Sequence, residues 1–433
     1  MKTICRKKTK ITVVDSIMGS GKTSWAIQHM DEASSSSRFI YITPFKSEIE
    51  RVIGSLSRDF VQPENTKDGT KLESLKKLIT EGKDIVSTHA LFQRMDKELI
   101  TLIQLQDYTL ILDEVMDVLE PVKLSSDDLK VLLSAKNKRG ESIITVNENG
   151  FVSWNDETYS EGNFTNIRNV AKAGNLMLFN NVSMYWLFPI EAFKGFDEVF
   201  IMTYMFNGQI QKYYYDLFNL NYEYRSVSNL NGKYTLVDYV ELQTEDRTHL
   251  KDLIKIHYSK SSDKIDLNRM GEGRYALSKS NLKDLTRRNT TRKILKNNAY
   301  NFCRNKVQVK SDQVMWTTFK EFRTKVSPIG LKKEFVLVNA RATNDYADKS
   351  VCIYIANRYM NPVTKQFFAS KGITVDEDLF ALSELLQWLF RSRVRKGEAI
   401  DVYIPSERMR SLLEGYLEGS NENPLLFKLS KEG

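Results

Sequence analysis

Short apolar runs rich in β-branched residues alternate along the first half of the chain with stretches of helical periodicity. The clearest of these runs are Ile11–Val14, Arg38–Thr43, Asp84–Thr88, Tyr108–Leu112 and Asp197–Thr203. The stretches between them place apolar residues three or four positions apart, as an amphipathic helix does. Alternating strands and helices are typical of a sheet with mostly parallel strands. The pattern therefore predicts an α/β fold.

The same pattern predicts two lobes. Between about residues 120 and 195 the alternation is interrupted, and a hairpin around Asn149–Gly150 is expected there. We interpret this part as an insertion that packs on the first sheet or extends it. The alternation returns in the second half, and the 433-residue length is sufficient for two domains. We therefore expect a first lobe over residues 1–206, with the insertion, and a second lobe over residues 207–433.

The first strand leads into a glycine-containing turn and the start of a helix, with the sequence ITVVDSIMGSGKTSW. The turn matches the phosphate-binding pattern G-x-x-x-x-G-K-[ST], except that Ser16 replaces the first glycine. Consecutive backbone N–H groups and a helix N-terminus favour an anion. Lys22 is expected to reach the β- and γ-phosphates of ATP, and the Thr23 hydroxyl to ligate Mg²⁺. The residues predicted to bind ATP are Gly19, Ser20, Gly21, Lys22 and Thr23.

The alternative to a phosphate-binding loop at this position is a glycine-rich surface turn that ends in Gly-Lys-Thr by chance. The strand before the turn and the helix after it favour the phosphate site, because the phosphate-binding loop requires both.

Two adjacent acidic residues follow the buried strand of the sequence ILDEVM. Asp113 is placed to hold Mg²⁺ together with Thr23, and Glu114 is the candidate general base that polarises the attacking water. A pair of solvated acids at a strand end is the alternative. A nucleotide kinase would not need the second carboxylate, so the pair indicates hydrolysis of the nucleotide.

A third group of candidate catalytic residues lies in the sequence LLQWLFRSRVRKG near the end of the chain. Arginine stabilises the charge that develops on the γ-phosphate in the transition state. On a helix, Gln387 and Arg391 share a face, and so do Arg391 and Arg395. These three residues join Glu114 as predicted catalytic residues, and the sequence leaves open whether Arg391, Arg393 or Arg395 acts on the phosphate. The alternative is a basic helix end whose side chains satisfy the last carbonyl groups.

Charge and composition narrow the classes of partner. The net charge of +8 and the isoelectric point near 9.0 allow a polyanionic partner. Basic residues concentrate in Arg274–Lys310, where Asp284 is the sole acid and Tyr300 and Phe302 are interleaved. This stretch is either a solvated helix face or an electrostatic track for nucleic acid.

Two classes of protein do not fit the composition. The three cysteines, Cys5, Cys303 and Cys352, are too few and too far apart for a disulfide framework or a zinc site. No apolar run approaches the roughly 20 residues that span a bilayer, so we expect a soluble, cytoplasmic protein without a membrane partner.

Taken together, these motifs resemble those of the superfamily 2 (DEAD/DEAH-like) helicases, in particular those of bacteriophages. SIMGSGKT is similar to motif I, DEVM to motif II and QWLFRSRVR to motif VI. The Val-Met ending of motif II is similar to that of viral replication-origin-binding helicases. Further segments that resemble helicase motifs are Tyr41–Glu48, Val86–Phe92, Met202–Phe206 and Asn339–Tyr346.

The resemblance implies two RecA-like P-loop NTPase lobes, with ATP and Mg²⁺ in the cleft between them. It also implies phosphate contacts to a nucleic-acid strand from Thr43, Lys46, Thr88 and Thr343. The implied activity is that of an ATP hydrolase that separates or remodels strands of single-stranded or branched DNA, with RNA left open. It would act in phage replication or recombination, with the proteins of those pathways, in the host cytoplasm and as a monomer or weak oligomer.

Two alternatives to a strand-separating enzyme remain open at this point. One is a double-strand translocase that remodels branched junctions without processive unwinding. The other is a DNA-binding protein of the origin-recognition type that uses ATP only as a switch.

Overall fold

The computed structural model describes residues 8–65, 69–240, 247–259, 265–339 and 345–418. The chain divides into two compact units. The first contains the chain up to Asp15, Lys22–Leu236 and Asn361–Val375, and the second contains Ser16–Gly21, Val237–Met360 and the chain from Asp376 onward. Strands and helices alternate in both units, and the main sheet of each is largely or wholly parallel. The predicted α/β fold with mostly parallel sheets is therefore confirmed.

Thirteen strands lie in the described part of the first unit, and the last of them extends two residues past its boundary at Leu236. They are β1 (Lys10–Asp15), β2 (Arg38–Thr43), β3 (Phe60–Val61), β4 (Asp84–Thr88), β5 (Tyr108–Asp113), β6 (Leu119–Pro121), β7 (Ile144–Val146), β8 (Val152–Trp154), β9 (Leu176–Phe179), β10 (Ser183–Leu187), β11 (Glu198–Thr203), β12 (Glu223–Leu230) and β13 (Lys233–Asp238). Eight of them form one sheet in the order β13-β12-β1-β11-β5-β2-β4-β3. Strands buried on both faces require continuous apolar runs, which is what β1, β2 and β5 have.

Ten helices accompany these strands in the described part of the first unit. They are α1 (Lys22–Glu32), α2 (Lys46–Ser55), α3 (Lys71–Thr80), α4 (His89–Phe92), α5 (Lys97–Gln104), α6 (Ser126–Ser134), α7 (Thr165–Lys172), α8 (Ile190–Phe193), α9 (Ile210–Leu217) and, much later in the chain, Pro362–Ser370. Trp25 and Met30 of α1 pack with Ile49 of α2 and Phe200 of β11 in one apolar cluster. This core fixes the start of α1 against the sheet.

The eight-stranded sheet extends past residue 206, where the sequence predicted the first lobe to end. β12 pairs with β1 in parallel, with Thr12 opposite Glu223. Backbone N–H and C=O groups along that edge of β1 need partners, and β12 supplies them. The first unit therefore continues to Leu236.

The predicted insertion has two small sheets and an apolar core of its own. β6, β10 and β9 form an antiparallel sheet, and β7 and β8 form the hairpin predicted around Asn149–Gly150. Leu129, Trp154 and Leu176 belong to its core. These strands form sheets separate from the eight-stranded one, so they do not extend it.

A late segment of the chain packs on this insertion. Phe367, on the helix Pro362–Ser370, lies with its ring centroid 5.6 Å from that of Phe179 and 5.0 Å from that of Tyr185. The Tyr185 and Thr364 hydroxyl groups are 3.3 Å apart. Residues 361–375, which the sequence predicted to belong to the second lobe, are therefore part of the first unit.

The second unit is built on a four-stranded parallel sheet in the order β14-β17-β16-β15. Its strands are β14 (Ile254–Ile256), β15 (Val314–Thr317), β16 (Val351–Tyr354) and β17 (Ile400–Tyr403). With the helix Pro362–Ser370 numbered α14 in chain order, its helices are α10 (Leu250–Leu253), α11 (Lys279–Leu285), α12 (Asn289–Asn301), α13 (Arg323–Val326), α15 (Glu377–Leu389) and α16 (Glu407–Glu418). Across all described residues, no helix is both long and apolar enough to cross a bilayer.

Candidate nucleotide-binding site

The turn between β1 and α1 has the backbone of a phosphate-binding loop. Gly19 and Gly21 have φ angles of +88° and +95°, a region that a side chain would strain. The Ser20 N–H donates to the Ile17 carbonyl at 3.2 Å. The Ser20 hydroxyl oxygen is buried without a hydrogen-bond partner among the described residues. The loop thus has the glycine conformations and the unsatisfied donor that a phosphate group would complete.

Helix α1 begins at Lys22, immediately after this loop. Its first turn contains no acidic residue, so the positive end of the helix dipole is not neutralised by its own side chains. Lys22 is largely buried, and Thr23 is half-buried. The predicted phosphate-binding lysine and the predicted metal-binding hydroxyl therefore lie next to each other at a helix N-terminus, where an anion is favoured.

Asp113 is the last residue of β5, as expected from the sequence. Its Oδ2 accepts a hydrogen bond from the Tyr41 hydroxyl at 3.0 Å. Burial, followed by the nearby charge of Glu114, raises the pKa of Asp113 to about 7, whereas the Tyr41 hydrogen bond and the Lys22 charge act to lower it. The carboxyl group thus holds its proton to a higher pH than an exposed aspartate does, and a cation placed beside it would favour the ionised form.

Glu114 has an unusual backbone conformation, with a φ angle of +64°. Its N–H donates to the Met202 carbonyl at 2.9 Å, which anchors the strained residue to β11. Oε2 of its side chain is buried, and within the described residues no donor reaches it. Left-handed backbone at a non-glycine residue costs about 1–3 kcal/mol and occurs mostly at functional sites. The strain and the unsatisfied carboxylate oxygen occur at the same residue.

The donor atoms present fit a magnesium–nucleotide complex. Mg²⁺ prefers one or two protein oxygen ligands, with phosphate and water oxygens completing its shell. The Thr23 hydroxyl and the Asp113 carboxylate, both in the first unit, are oxygen ligands of that kind. No cluster of three or more His, Cys, Asp or Glu side chains suited to a metal ion occurs in the described part of the chain.

Three residues that the sequence did not single out support this site. The buried Asp15 carboxylate accepts hydrogen bonds from the N–H groups of Met205 and Phe206, each at 2.8 Å. The Gln211 side-chain oxygen accepts from the Met116 N–H at 2.9 Å. Asp15 and Gln211 thus tie the end of β1 and the segment after β5 to the chain that follows β11. Tyr41 instead ties β2 to the end of β5. The sequence contained a hint of Asp15, which ends a buried apolar strand, and of Tyr41, which begins the motif-like segment Tyr41–Glu48, but none of Gln211.

The candidate catalytic residues of the second unit do not share one helix face. Helix α15 ends at Leu389, and Ser392 is extended, with φ −73° and ψ −178°. The 3₁₀ helix Arg393–Lys396 follows. The predicted i, i+4 relation between Arg391 and Arg395 is therefore wrong, because the helix ends before both. Gln387 is half-buried on α15, Arg391 is 5% exposed and Arg395 is exposed.

Arg393 has structural partners within the second unit. Its guanidinium Nε donates to the Ala399 carbonyl at 2.6 Å and lies 4.0 Å from the Glu398 carboxylate. Its backbone N–H donates to the Lys349 carbonyl. The side-chain contacts hold the 3₁₀ helix to the residues just before β17, and the backbone contact holds it to the segment before β16. The Arg393 side chain therefore has a structural role.

The predicted nucleic-acid contacts differ in their accessibility. Thr43 is completely buried and its hydroxyl finds no partner in the described residues, which does not fit a direct contact with a phosphate. The Thr88 hydroxyl accepts from the Leu91 N–H at 3.3 Å and caps α4. Lys46 is exposed at the start of α2. Thr343 lies outside the described residues.

The basic stretch Arg274–Lys310 forms α11, α12 and the turns around them. Most of its charged side chains are exposed, but Phe302 is buried, with its ring 5.2 Å from that of Tyr403 and 5.1 Å from that of His257. Phe302 is therefore a core residue and not an accessible aromatic of a nucleic-acid track.

Sequence comparison relates two parts of the chain to known domains. Residues 248–417 match the C-terminal Rossmann-like domain of YonV, and residues 119–186 match the YonV middle domain. The second range begins at β6 and ends within β10, so it coincides with the insertion. The SPbeta prophage-derived protein YonV of Bacillus subtilis (strain 168) is 40% identical over 421 residues, covering 94% of this chain and 99% of the relative.

Several solved structures align with nearly the whole chain, but with low sequence identity and low TM-scores. The XPD protein in its apo form gives a TM-score of 0.48 at 11% identity and covers 96% of each chain. Xpd4 of S. tokodaii gives 0.46 at 11% identity and covers 96% of this chain and 95% of Xpd4. The DUF1998 helicase MrfA, bound to DNA and AMPPNP, gives a TM-score of 0.32 at 12% identity. The alignment covers 98% of this chain and 56% of the MrfA chain. All three TM-scores are below 0.5, so these overlaps assign no function.

Proposed function

The chain belongs to the YonV family, and we propose that it is an ATP-dependent helicase or translocase of superfamily 2 that acts on nucleic acid, with DNA as the expected substrate. The observation that carries this proposal is the Glu114 carboxylate, which follows Asp113 and has a buried oxygen without a partner in the described residues. Buried carboxylates with only a structural role are normally hydrogen-bonded. A general base instead needs an oxygen that can accept a proton from the attacking water.

In this proposal ATP binds at the N-terminus of α1. The backbone of Gly19, Ser20 and Gly21 surrounds the phosphates, and the Lys22 ammonium group binds the β- and γ-phosphate oxygens. Thr23 and Asp113 hold Mg²⁺, which when bound neutralises part of the phosphate charge. Lys22 also favours the ionised form of Asp113, as its effect on the pKa of that carboxyl indicates.

Hydrolysis follows from the position of Glu114. Its carboxylate accepts a proton from water, the water oxygen forms a bond to the γ-phosphorus, and the bond to the β,γ-bridging oxygen breaks. Arg391, with Gln387 and Arg395 as further candidates, stabilises the charge on the transferred group. The buried Arg391 is favoured over the exposed Arg395, because electrostatic interactions are stronger away from water.

The nucleic-acid partner is proposed from charge and from the relative. Lys46 and the exposed lysines and arginines of Arg274–Lys310 supply sequence-independent attraction to phosphates. Thr88 and Thr343 stay proposed contacts. Because YonV of Bacillus subtilis is prophage-derived, we propose a role in phage DNA replication or recombination in the host cytoplasm.

Phosphate release measured with and without single-stranded DNA tests the proposal. We expect strand-dependent ATP hydrolysis by the wild type and none by Lys22→Ala, which loses phosphate binding. Glu114→Gln is expected to lose hydrolysis but to retain ATP binding, measured with a fluorescent ATP analogue. Asp117→Asn, an exposed acid three residues further on, is the matched control and should hydrolyse ATP at the wild-type rate.

If Glu114→Gln hydrolysed ATP at the wild-type rate, the assignment of Glu114 as the general base would be wrong. Turnover that is absent, or indifferent to DNA and RNA, would favour an ATP-switched binding protein instead. Unwinding of 3′-tailed, 5′-tailed and four-way-junction substrates, in DNA and RNA, then distinguishes a helicase from a junction translocase.

A further inference from the structure

Two tyrosines of the second unit form an exposed aromatic surface. The Tyr275 side chain is 65% exposed, and Tyr359 beside it is half-buried. Their ring centroids are 5.6 Å apart, with 36° between the ring planes. We call these two residues the tyrosine platform. Large aromatic side chains usually bury most of their surface, so a pair with one ring this exposed indicates a contact surface.

An arginine supports the buried side of the platform. The Arg408 guanidinium carbon lies 4.1 Å from the ring centroid of Tyr359. The same guanidinium donates to the Asp378 carboxylate at 2.8 Å and to the Asn357 side-chain oxygen at 2.9 Å. Arg408 is thus fixed by its own partners, and the cation–π contact in turn fixes the Tyr359 ring.

The two loops that present the platform are hydrogen-bonded to each other. The Asn357 amide group donates to the carbonyl oxygens of Arg274 and Ala276, at 2.8 and 2.9 Å. The Tyr359 hydroxyl donates to the same Arg274 carbonyl at 2.7 Å. Because both loops are already ordered, a ligand that packs on the rings would pay little entropy to immobilise them.

Basic side chains lie beside the platform and follow it along the chain. The Arg274 guanidinium carbon lies 6.0 Å from the Tyr275 ring centroid, and its side chain is exposed. Helices α11 and α12 follow directly along the chain. Exposed basic residues on and between them are Lys279, Lys283, Arg287, Arg288 and Lys293. An exposed aromatic face beside concentrated positive charge fits a ligand with both flat rings and phosphates.

We propose that the tyrosine platform stacks against an unpaired base of a single-stranded nucleic acid, with Tyr275 as the main contact. In a duplex the faces of the bases already stack on each other, so an exposed ring can reach a base face only in a single strand or at an end. This inference rests on the proposed function, for which it names strand-binding residues. It predicts binding without sequence preference, because every base has a stacking face.

Fluorescence anisotropy with a labelled 20-nucleotide oligo(dT), at one fixed salt concentration, tests the platform. Tyr275→Ala should weaken binding between about 5-fold and 150-fold, which corresponds to 1–3 kcal/mol for one stacked base. Tyr275→Phe keeps the ring and should bind within about twofold of the wild type. Tyr258→Ala removes another half-exposed tyrosine of the same unit, outside the platform, and should bind as the wild type does.

The salt dependence and a duplex control separate stacking from charge. Tyr275→Ala should leave the slope of log K against log salt unchanged, because no phosphate contact is lost. Its affinity for a relaxed circular duplex, which has no end on which a ring could stack, should also be unchanged when measured by competition with the labelled oligo(dT). Equal oligo(dT) binding by Tyr275→Ala and the wild type would overturn the platform and leave the proposed function standing. A wild type that binds no single strand would overturn both, and an equal loss on single strand and duplex would overturn the stacking role.

Discussion

The Tyr41 hydroxyl donates a hydrogen bond to Oδ2 of Asp113 at 3.0 Å. Tyr41 is completely buried in β2, and Asp113 ends the neighbouring strand β5. The hydrogen bond favours the ionised carboxylate, whereas burial and the charge of Glu114 favour the protonated form and raise the pKa to about 7. Tyr41 therefore helps to keep Asp113 in the form that can bind a metal ion.

Tyr41→Phe should raise the pKa of Asp113 further, because the ionised form loses its donor. If ionised Asp113 is needed for hydrolysis, the acidic limb of the pH profile of kcat/KM for ATP moves to higher pH. Tyr108→Phe is the matched control, since that buried hydroxyl on β5 donates to the Lys83 carbonyl, away from Asp113. An acidic limb that stays in place in Tyr41→Phe would contradict the role given to this hydrogen bond.

Asp113→Asn should increase the stability of the nucleotide-free protein relative to the wild type, and this gain should be larger at neutral than at acidic pH. The folded protein holds the Asp113 proton up to about pH 7, but the unfolded chain releases it near pH 4, so ionisation lowers the free energy of unfolding across that window. Asparagine has no such proton. The difference in Tm between Asp113→Asn and the wild type should therefore grow from about pH 4 to about pH 7 and then level off. A difference that is constant with pH would mean that the pKa is not raised.

Local sequence patterns predicted the parts of this molecule that depend on neighbouring residues. A buried β-branched run that stops at a charged residue identified the ends of β1 and β5, and thereby the positions of Lys22 and Asp113. The Asn149–Gly150 pair identified the β7–β8 hairpin, because that turn requires left-handed backbone.

Features that depend on distant contacts were not predictable in this way. The return of Pro362–Ser370 to the first unit depends on Phe367 packing against Phe179 and Tyr185, and no local pattern reports such a contact. The end of α15 at Leu389 was missed because Gln387, Arg391 and Arg395 continue the i, i+4 spacing of a helix past it. The role of Tyr41 depends on the register between β2 and β5.

Arg391 and Arg393 should differ in what their loss affects. Arg391→Ala is expected to lower kcat for ATP hydrolysis by about 10³-fold, the effect typical of an arginine that stabilises phosphoryl transfer. Arg393→Ala is expected to lower Tm, because it removes the bond to the Ala399 carbonyl, while kcat measured well below Tm changes less than about tenfold. Steady-state kinetics and thermal melting of both variants decide the assignment. A larger loss of kcat in Arg393→Ala than in Arg391→Ala would reverse it.

Asp15→Asn should destabilise the first unit. The Asp15 carboxylate accepts from two N–H groups at 2.8 Å, and the amide would turn a donor toward one of them. We expect a loss of about 1–3 kcal/mol in the free energy of unfolding, measured in urea. Asp31→Asn is the control, because its carboxylate accepts one bond, from the Ser57 N–H, in an exposed setting. If both variants lost the same free energy of unfolding, the burial of Asp15 would not add to the stability that its hydrogen bonds provide.

Lys46 and Thr43 should differ in their effect on nucleic-acid binding. Lys46 is exposed, so Lys46→Ala should weaken binding to single-stranded DNA of any sequence and reduce the slope of log K against log salt by about 1. Thr43→Val removes a buried hydroxyl without a partner in the described residues, so binding should be unchanged and Tm equal or higher. Anisotropy titrations across salt concentrations measure the first effect and thermal melting the second. Weaker DNA binding by Thr43→Val, with Tm maintained, would restore this threonine as a strand contact.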